Sequence, residues 1–202
     1  MENIDKCTAC GALLNKKEML TKNIYDKVLC DICTGTQRRI EYIKSNYLEK
    51  LKAIPAVYVD GKFAENALIS VYGKSAVILA DEAPVSGTQW AWDMIKMYWR
   101  NGRDAMHVSS KDIATEYASI SWRDKKDYMD VFTYYPGMLV VDDISIESPK
   151  EQLSRIIEYR AEWDIDTVII IHMSYDDLDR VIGDKAYSLI KSKWKCLSLE
   201  RK

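Results

Sequence analysis

The amino-acid sequence predicts an α/β fold, a parallel sheet with flanking helices, preceded by a small four-cysteine zinc module and a linking helix. From residue 56 onward, apolar segments of strand length alternate with helical segments, which is typical of parallel sheets with right-handed crossovers. Three of these apolar segments are continuous or nearly so, as expected of strands that are covered on both faces. Two Cys-x-x-Cys pairs near the N-terminus carry the zinc prediction. The 202 residues suffice for one ordinary domain and a small appendage.

The predicted strands and helices alternate along the α/β part of the chain. The strands are expected at 75–80, 105–110, 137–143, 166–172 and 193–199. The helices between them are expected at 88–102, 110–120, 148–163 and 175–191. Ligands of such sheets bind beyond the carboxyl ends of the strands, so the residues directly after each strand are the candidates for function.

A further helix is predicted between the cysteine region and the α/β part. Its apolar residues recur at three- and four-residue spacing and form one stripe: Ile40, Ile43, Tyr47, Leu48 and Leu51. Pro55 is expected to end it. The predicted organisation is therefore a zinc-binding module at 1–36, the linking helix at 37–54 and the α/β domain at 55–202. The basic residues off the stripe are either a solvated face or an arm that contacts DNA or a partner protein.

The four N-terminal cysteines, Cys7, Cys10, Cys30 and Cys33, have the spacing of a closed zinc site. Four thiolates complete the tetrahedron that zinc prefers and leave no open position for catalysis, so the metal is predicted to be structural. Two disulfides or a redox dithiol are the alternatives, which a reducing compartment and the doubled pairing disfavour. Such modules bind DNA, RNA or protein. The charge of this module is at least as consistent with protein docking as with nucleic-acid binding.

Composition excludes several classes of protein. The net charge of -2 gives no bulk attraction to nucleic acid, so any such binding must come from a local patch. The N-terminus lacks the apolar core of a signal peptide, and the apolar runs are far too short to cross a bilayer. We therefore expect a cytoplasmic protein with no membrane partner.

Two carboxylates and a histidine come directly after predicted strands. Asp142 and Asp143 end the strand "MLVVDD", which has the form of a Walker B motif. In P-loop enzymes the first acid helps to hold magnesium and the next often polarises water. The alternatives are a turn with solvated acids or a cap for the next helix. His172 comes after the fourth strand and is either a sensor or ligand, or a hydrogen-bonded residue at a strand end.

The loop after the first strand lies where a Walker A motif would be, but it departs from the pattern G-x-x-x-x-G-K-[ST]. Aligned on Gly87, Glu82 replaces the first glycine, Thr88 the lysine and Gln89 the hydroxyl residue. The charge that holds the β- and γ-phosphates is therefore absent, and nearby carboxylates repel phosphate. ATP hydrolysis is expected to be lost, and no tight binding of ATP and magnesium is expected.

These motifs resemble those of the DnaC/DnaI-type (IstB-like) replicative helicase loaders, a family of AAA+ proteins. "IPAVYVDGKF" at 54–63 is similar to the segment that leads into the loader core, and "MLVVDDISIESPKEQL" resembles the loader Walker B with its trailing segment. "VIIIHMSYDDL" resembles the sensor 1 strand, with His172 at the asparagine's place, and "IGDKAYSLI" resembles the arginine-finger segment, with Leu189 at the arginine's place. The N-terminal cysteine module resembles that of the DnaI branch, where it docks on the replicative helicase.

The resemblance implies an AAA+ domain whose ATPase site is degenerate, since the Walker A lysine, its hydroxyl partner, the sensor asparagine and the arginine finger are all replaced. It implies a DNA replication accessory protein of a phage or mobile element, a pseudo-ATPase that binds the replicative helicase or its loader. Single-stranded DNA and homo- or hetero-oligomers remain candidate partners. The alternatives are an active helicase loader with an unorthodox phosphate loop, and a zinc-dependent DNA-binding regulator.

Three tryptophans, a second histidine and a single cysteine are the remaining residues with functional potential. Trp90, Trp92 and Trp99 share one predicted helix and either pack in a core or interface or form a stacking platform for single strands. His107 is expected to be structural, and Cys196 is expected to be a buried strand residue.

Overall fold

The computed structural model describes residues 71–80 and 87–199, together with residues 41, 50, 52, 54 and 55. The four cysteines of the predicted zinc module, most of the linking helix and the loop at 81–86 lie outside the described residues. The phosphate-loop prediction can therefore be followed in the structure only from Gly87 onward.

The described domain contains a five-stranded parallel sheet, which confirms the predicted fold class. Its strands are β1 (Ala76–Leu79), β2 (Ala105–Ser109), β3 (Met138–Ile144), β4 (Thr167–Ile171) and β5 (Lys195–Ser198). Their spatial order is β2-β3-β4-β1-β5, so β4 lies between β1 and β3. Each strand overlaps a predicted one, because apolar runs bounded by polar residues mark buried strands well. All carboxyl ends lie at one edge, and this edge carries the candidate site.

Helices cover both faces of the sheet. They are α1 (Gly87–Arg100), α2 (Ser110–Ser119), α3 (Lys125–Thr133), α4 (Lys150–Glu162), α5 (Leu178–Ile182) and α6 (Asp184–Lys193). Strand residues alternate between two clusters of buried apolar side chains. Val140 and Ile170 pack with α1, Ile54 and Val71 on one face. Leu139 and Ile169 pack with residues of α2 to α6 on the other.

Two helical features differ from the sequence-based expectation. α3 was not predicted, because its nine residues are mostly polar and only Met129, Phe132 and Thr133 are buried. The single helix expected at 175–191 is divided into a 3-10 turn, Tyr175–Asp177, then α5 and α6. Gly183 ends α5 with φ 80, a conformation that glycine adopts without the steric penalty of a side chain.

The structure also corrects the expectation for Cys196. This cysteine does lie in β5, but its side chain is exposed. β5 is a four-residue strand at the border of the sheet, and three of its four residues are exposed. The tryptophans differ in exposure. Trp90 and Trp99 are buried in the cluster under α1, Trp92 and Trp194 are partly buried, and Trp122 and Trp163 are exposed.

The edge of the sheet opposite to the candidate site is held together by a buried arginine. Arg160 of α4 is 0% exposed and donates to Thr167 Oγ1 at the start of β4. Its guanidinium also donates to four backbone carbonyls, those of Phe132, Tyr135, Gly137 and Asp166. Burial lowers the pKa of Arg160 to about 10. One side chain therefore joins the end of α3 and the segments that enter β3 and β4.

Within the described residues, no helix has the length and apolar character that a membrane span requires.

Candidate functional site

The first turn of α1 lies against the carboxyl ends of β1 and β4. A Cβ atom on Gly87 would come within 2.6 Å of Ile170 Cγ2 and 3.1 Å of Ala80 Cβ. The same position lies 3.6 Å from His172 Nε2, so the predicted site residues Gly87 and His172 are neighbours. The glycine therefore has a packing role, since it allows the helix to begin directly on the sheet.

Asp142 lies at the centre of the site with its side chain 1% exposed. Its Oδ1 atom accepts the backbone N–H of Asp143 at 2.7 Å. Its Oδ2 atom lies 3.3 Å from His107 Nε2 on the neighbouring strand β2. Burial acts to raise the pKa of the Asp142 carboxyl, but the hydrogen bonds with His107 and Thr88 outweigh it and hold this pKa below its ordinary value. Asp142 is therefore a buried, ionised carboxylate with protein partners.

The contact between Thr88 and Asp142 differs from the register expected from the sequence. The alignment on Gly87 placed Gln89 at the position of the magnesium-binding hydroxyl. In the structure the Thr88 side chain interacts with Asp142 and helps to lower the pKa of its carboxyl, whereas Gln89 Nε2 donates to Asp93 Oδ1 at 3.2 Å. Thr88, and not Gln89, is therefore the residue of this turn that faces the buried acid.

His107 was expected to be structural, and the structure brings it into the site. Its ring packs on Trp92 of α1 with ring centroids 4.5 Å apart, and its Nε2 atom faces Asp142. These groups are far apart in sequence, and no motif relates them. The signal that could have found the pair is the adjacency of β2 and β3, which depends on the strand order and not on residue spacing.

Asp143 has an unusual backbone conformation and a cationic partner. Its φ is 60, in the left-handed region that non-glycine residues rarely adopt. Ser110 Oγ donates to its carbonyl oxygen at 2.7 Å. Its Oδ2 atom forms a 2.6 Å ion pair with Lys111 Nζ, and this hydrogen bond is the main cause of a raised pKa at Lys111. The sequence motif predicted the acid but not the lysine that faces it.

Leu189, at the position that resembles an arginine finger, has a packing role in the structure. Leu189 of α6 is partly buried and packs against the apolar cluster under α2 to α6. Its side chain therefore serves the packing of α6.

Across the part of the chain that the structure describes, no cluster of three or more His, Cys, Asp or Glu residues could hold a metal ion.

No protein-family model matches this chain, and neither does any curated protein. Solved structures do match it. The DnaC helicase loader superposes with a TM-score of 0.56 at 21% identity, covering 70% of this chain and 93% of that chain. The described domain has a DnaC/DnaI-type fold.

Two further solved structures extend the comparison. DnaI superposes with a TM-score of 0.54 at 13% identity, over 75% of this chain and 88% of that chain. The replication initiator DnaA, bound to AMPPCP and single-stranded DNA, superposes with a TM-score of 0.55 at 14% identity. That match covers 68% of this chain and 44% of the DnaA chain. The expected DnaC/DnaI-type fold is confirmed. Sequence identities this low show a shared fold and nothing more.

Proposed function

We propose that this protein is a DNA replication accessory protein of the helicase-loader type that acts as a pseudo-ATPase. It binds the replicative helicase or its loader through the zinc module and the surface of the AAA+ domain, and it belongs to a phage or mobile element in the cytoplasm. The observation that carries the proposal is a helicase-loader fold whose α1 begins without a cation. The match over 93% of the chain in the DnaC structure supports the loader type.

The start of α1 supports the loss of nucleotide chemistry. Residues 81–89 contain no lysine or arginine. The first lysine of the helix is Lys96, which is buried and forms an ion pair with Asp93. The helix N-terminus still attracts anions, but such an attraction contributes only about 0.3–1 kcal/mol at exposed sites. A single helix terminus does not replace the lysine that binds the β- and γ-phosphates.

The acidic pair supports the same interpretation. Asp142 is 1% exposed and engaged by His107, Thr88 and the Asp143 amide, while Asp143 pairs with Lys111. Magnesium in nucleotide sites needs carboxylate oxygens, substrate phosphates and several waters in octahedral geometry. Three of the four carboxylate oxygens, Asp142 Oδ1, Asp142 Oδ2 and Asp143 Oδ2, already have protein partners, which supports a site that is not used for ATP with magnesium.

The choice of partner rests on the sequence resemblance and not on the geometry of the site. The four-cysteine module resembles the part of the DnaI branch that docks on the replicative helicase, which makes the helicase the first candidate. The DnaA structure contains single-stranded DNA, which keeps a single strand as a further candidate ligand. Association with the helicase would make hetero-oligomers of this chain.

A pull-down with the tagged full-length chain tests the proposal. The host replicative helicase or its loader is expected to be retained equally with ATP and magnesium and without them, because the nucleotide site is not used. ATP turnover by the purified protein is expected to stay at background. Recovery of neither partner contradicts the proposed function.

Hydrolysis that disappears in Asp142→Ala would show an active ATPase. Salt-dependent DNA binding that needs Arg38, Arg39 and Lys44 would favour the zinc-dependent regulator.

A separate prediction concerns the metal. The full-length protein is expected to contain one zinc per chain, because Cys7, Cys10, Cys30 and Cys33 form one closed set of ligands. Cys10→Ser is expected to lose the zinc and the retained partner, since the module depends on metal for much of its folding energy. Cys196→Ser is the matched control, because Cys196 is exposed in β5 and is expected to keep both. Metal analysis by mass spectrometry measures the stoichiometry, and zinc unchanged in Cys10→Ser would contradict the assignment.

A further inference from the structure

We propose that Lys111 keeps divalent metal ions from binding to the acidic pair Asp142–Asp143. Its ammonium group supplies a positive charge at the place where magnesium binds in P-loop enzymes. The inference rests on the proposed pseudo-ATPase function and names the residue that keeps the site closed. Its geometric basis is the 2.6 Å ion pair between Lys111 Nζ and Asp143 Oδ2.

The position of Lys111 in its helix is electrostatically unfavourable by itself. Lys111 is the second residue of α2, and its backbone N–H donates to the capping hydroxyl of Ser109. The N-terminus of a helix carries a partial positive charge, which favours acidic and disfavours basic side chains in the first turn. Helix formation therefore gives no reason for a lysine here. The carboxylate of Asp143 supplies that reason.

The backbone of Asp143 is held in a strained conformation that the same junction stabilises. Its φ of 60 costs free energy for a residue with a side chain. Ser110, which is fully buried, donates to the Asp143 carbonyl and lies 2.9 Å from Ser148 Oγ. On the other side, the Asp143 N–H donates to Asp142 Oδ1. Strain that is maintained by a buried network indicates a selected orientation of this residue, and that orientation places its carboxylate against Lys111.

Both carboxylates at the site have protein partners. Asp143 faces Lys111, and Asp142 faces His107 and the Thr88 side chain. A dication bound by Asp143 would lie within a few ångströms of the Lys111 ammonium, and like charges at that distance repel each other even near the surface. Lys111 is the accessible member of this arrangement, with a side chain 71% exposed, so it can be replaced without disturbing the core.

Binding of Mn²⁺, used as a paramagnetic substitute for magnesium, tests the inference on the full-length protein. Electron paramagnetic resonance measures the free ion during a titration. Wild type and Lys111→Arg, which keeps the charge, are expected to bind Mn²⁺ weakly. Lys111→Gln is expected to bind it about tenfold more tightly or better, since removing a charge a few ångströms away removes its repulsion. The gain is expected to vanish in Lys111→Gln with Asp143→Asn.

Matched variants separate a local effect from a change in net charge. Lys126→Gln removes an exposed lysine from α3 and is expected to bind Mn²⁺ as wild type does. Near-UV circular dichroism checks the fold of each variant, and Lys111→Met replaces Lys111→Gln if that variant loses the native spectrum. Tight Mn²⁺ binding by wild type that requires Asp143 overturns the inference, and so does equal binding by wild type and Lys111→Gln.

The two proposals fail in different ways. Equal Mn²⁺ affinities together with retention of the helicase would overturn the role of Lys111 and leave the helicase-binding function standing. ATP turnover by wild type would overturn the pseudo-ATPase whatever the Mn²⁺ result.

Discussion

Replacement of Arg160 by alanine is expected to destabilise the α/β domain by about 3–5 kcal/mol, because it removes five hydrogen bonds and each buried acceptor left unsatisfied costs about 1–3 kcal/mol. The side chain is fully buried and donates to Thr167 and to four backbone carbonyls. Alanine would remove this charged donor from acceptors that are wholly or partly buried, and those left without another donor carry a desolvation cost. Urea unfolding followed by near-UV circular dichroism, which reports on the buried tryptophans, measures the change.

Two further variants define the cause. Arg160→Lys keeps the charge but has a single ammonium, which cannot reach acceptors spread around a planar guanidinium, so most of the loss is expected to remain. Arg155→Ala is the control on the same helix. Its arginine is partly exposed and pairs with Asp130, and such pairs contribute at most about 1 kcal/mol. An Arg160→Ala variant as stable as Arg155→Ala would refute the structural role.

Gly87→Ala is expected to cost about 1–3 kcal/mol, the usual range for an added carbon in a well-packed region. The new Cβ would lie 2.6 Å from Ile170 Cγ2 and 3.1 Å from Ala80 Cβ, closer than carbon atoms pack. The start of α1 would have to move away from β4, and Thr88 would move with it away from Asp142. Thermal and urea unfolding measure the loss.

The double variant with Ile170→Ala shows whether this contact is responsible. Removal of the isoleucine creates space beside residue 87, so Gly87→Ala is expected to cost less in the Ile170→Ala background than in wild type. Strict additivity of the two substitutions would contradict the packing explanation. Because neither measurement involves nucleotide, the result separates the packing role of this glycine from a role in binding phosphate.

The sheet could be predicted from sequence because its strands are short apolar runs that end in polar residues. "MLVVDD" and "VIIIH" predicted both a strand and the polar residues that follow it, and Asp142, Asp143 and His172 do lie at the carboxyl edge. α3 escaped prediction because its apolar residues are few, and the division between α5 and α6 escaped because Gly183 sits within an otherwise regular helical pattern.

The partners of the two aspartates could not be predicted from sequence. His107 reaches Asp142 from β2, and Lys111 reaches Asp143 from the start of α2, so both contacts depend on β2 lying beside β3. The role of Arg160 could not be predicted from the sequence either. Its place in an amphipathic helix is compatible with a solvated face, and only the packing of three chain segments around it makes it a buried donor.

Ile54 has a practical consequence for anyone who wishes to produce the α/β domain alone. Its side chain is 4% exposed and belongs to the cluster that contains Val71 and Trp90, on the face of the sheet covered by α1. An expression fragment that starts at Pro55, at the predicted end of the linking helix, would lack this residue and open a gap in that cluster. A fragment designed for crystallisation or labelling should therefore begin upstream of Ile54.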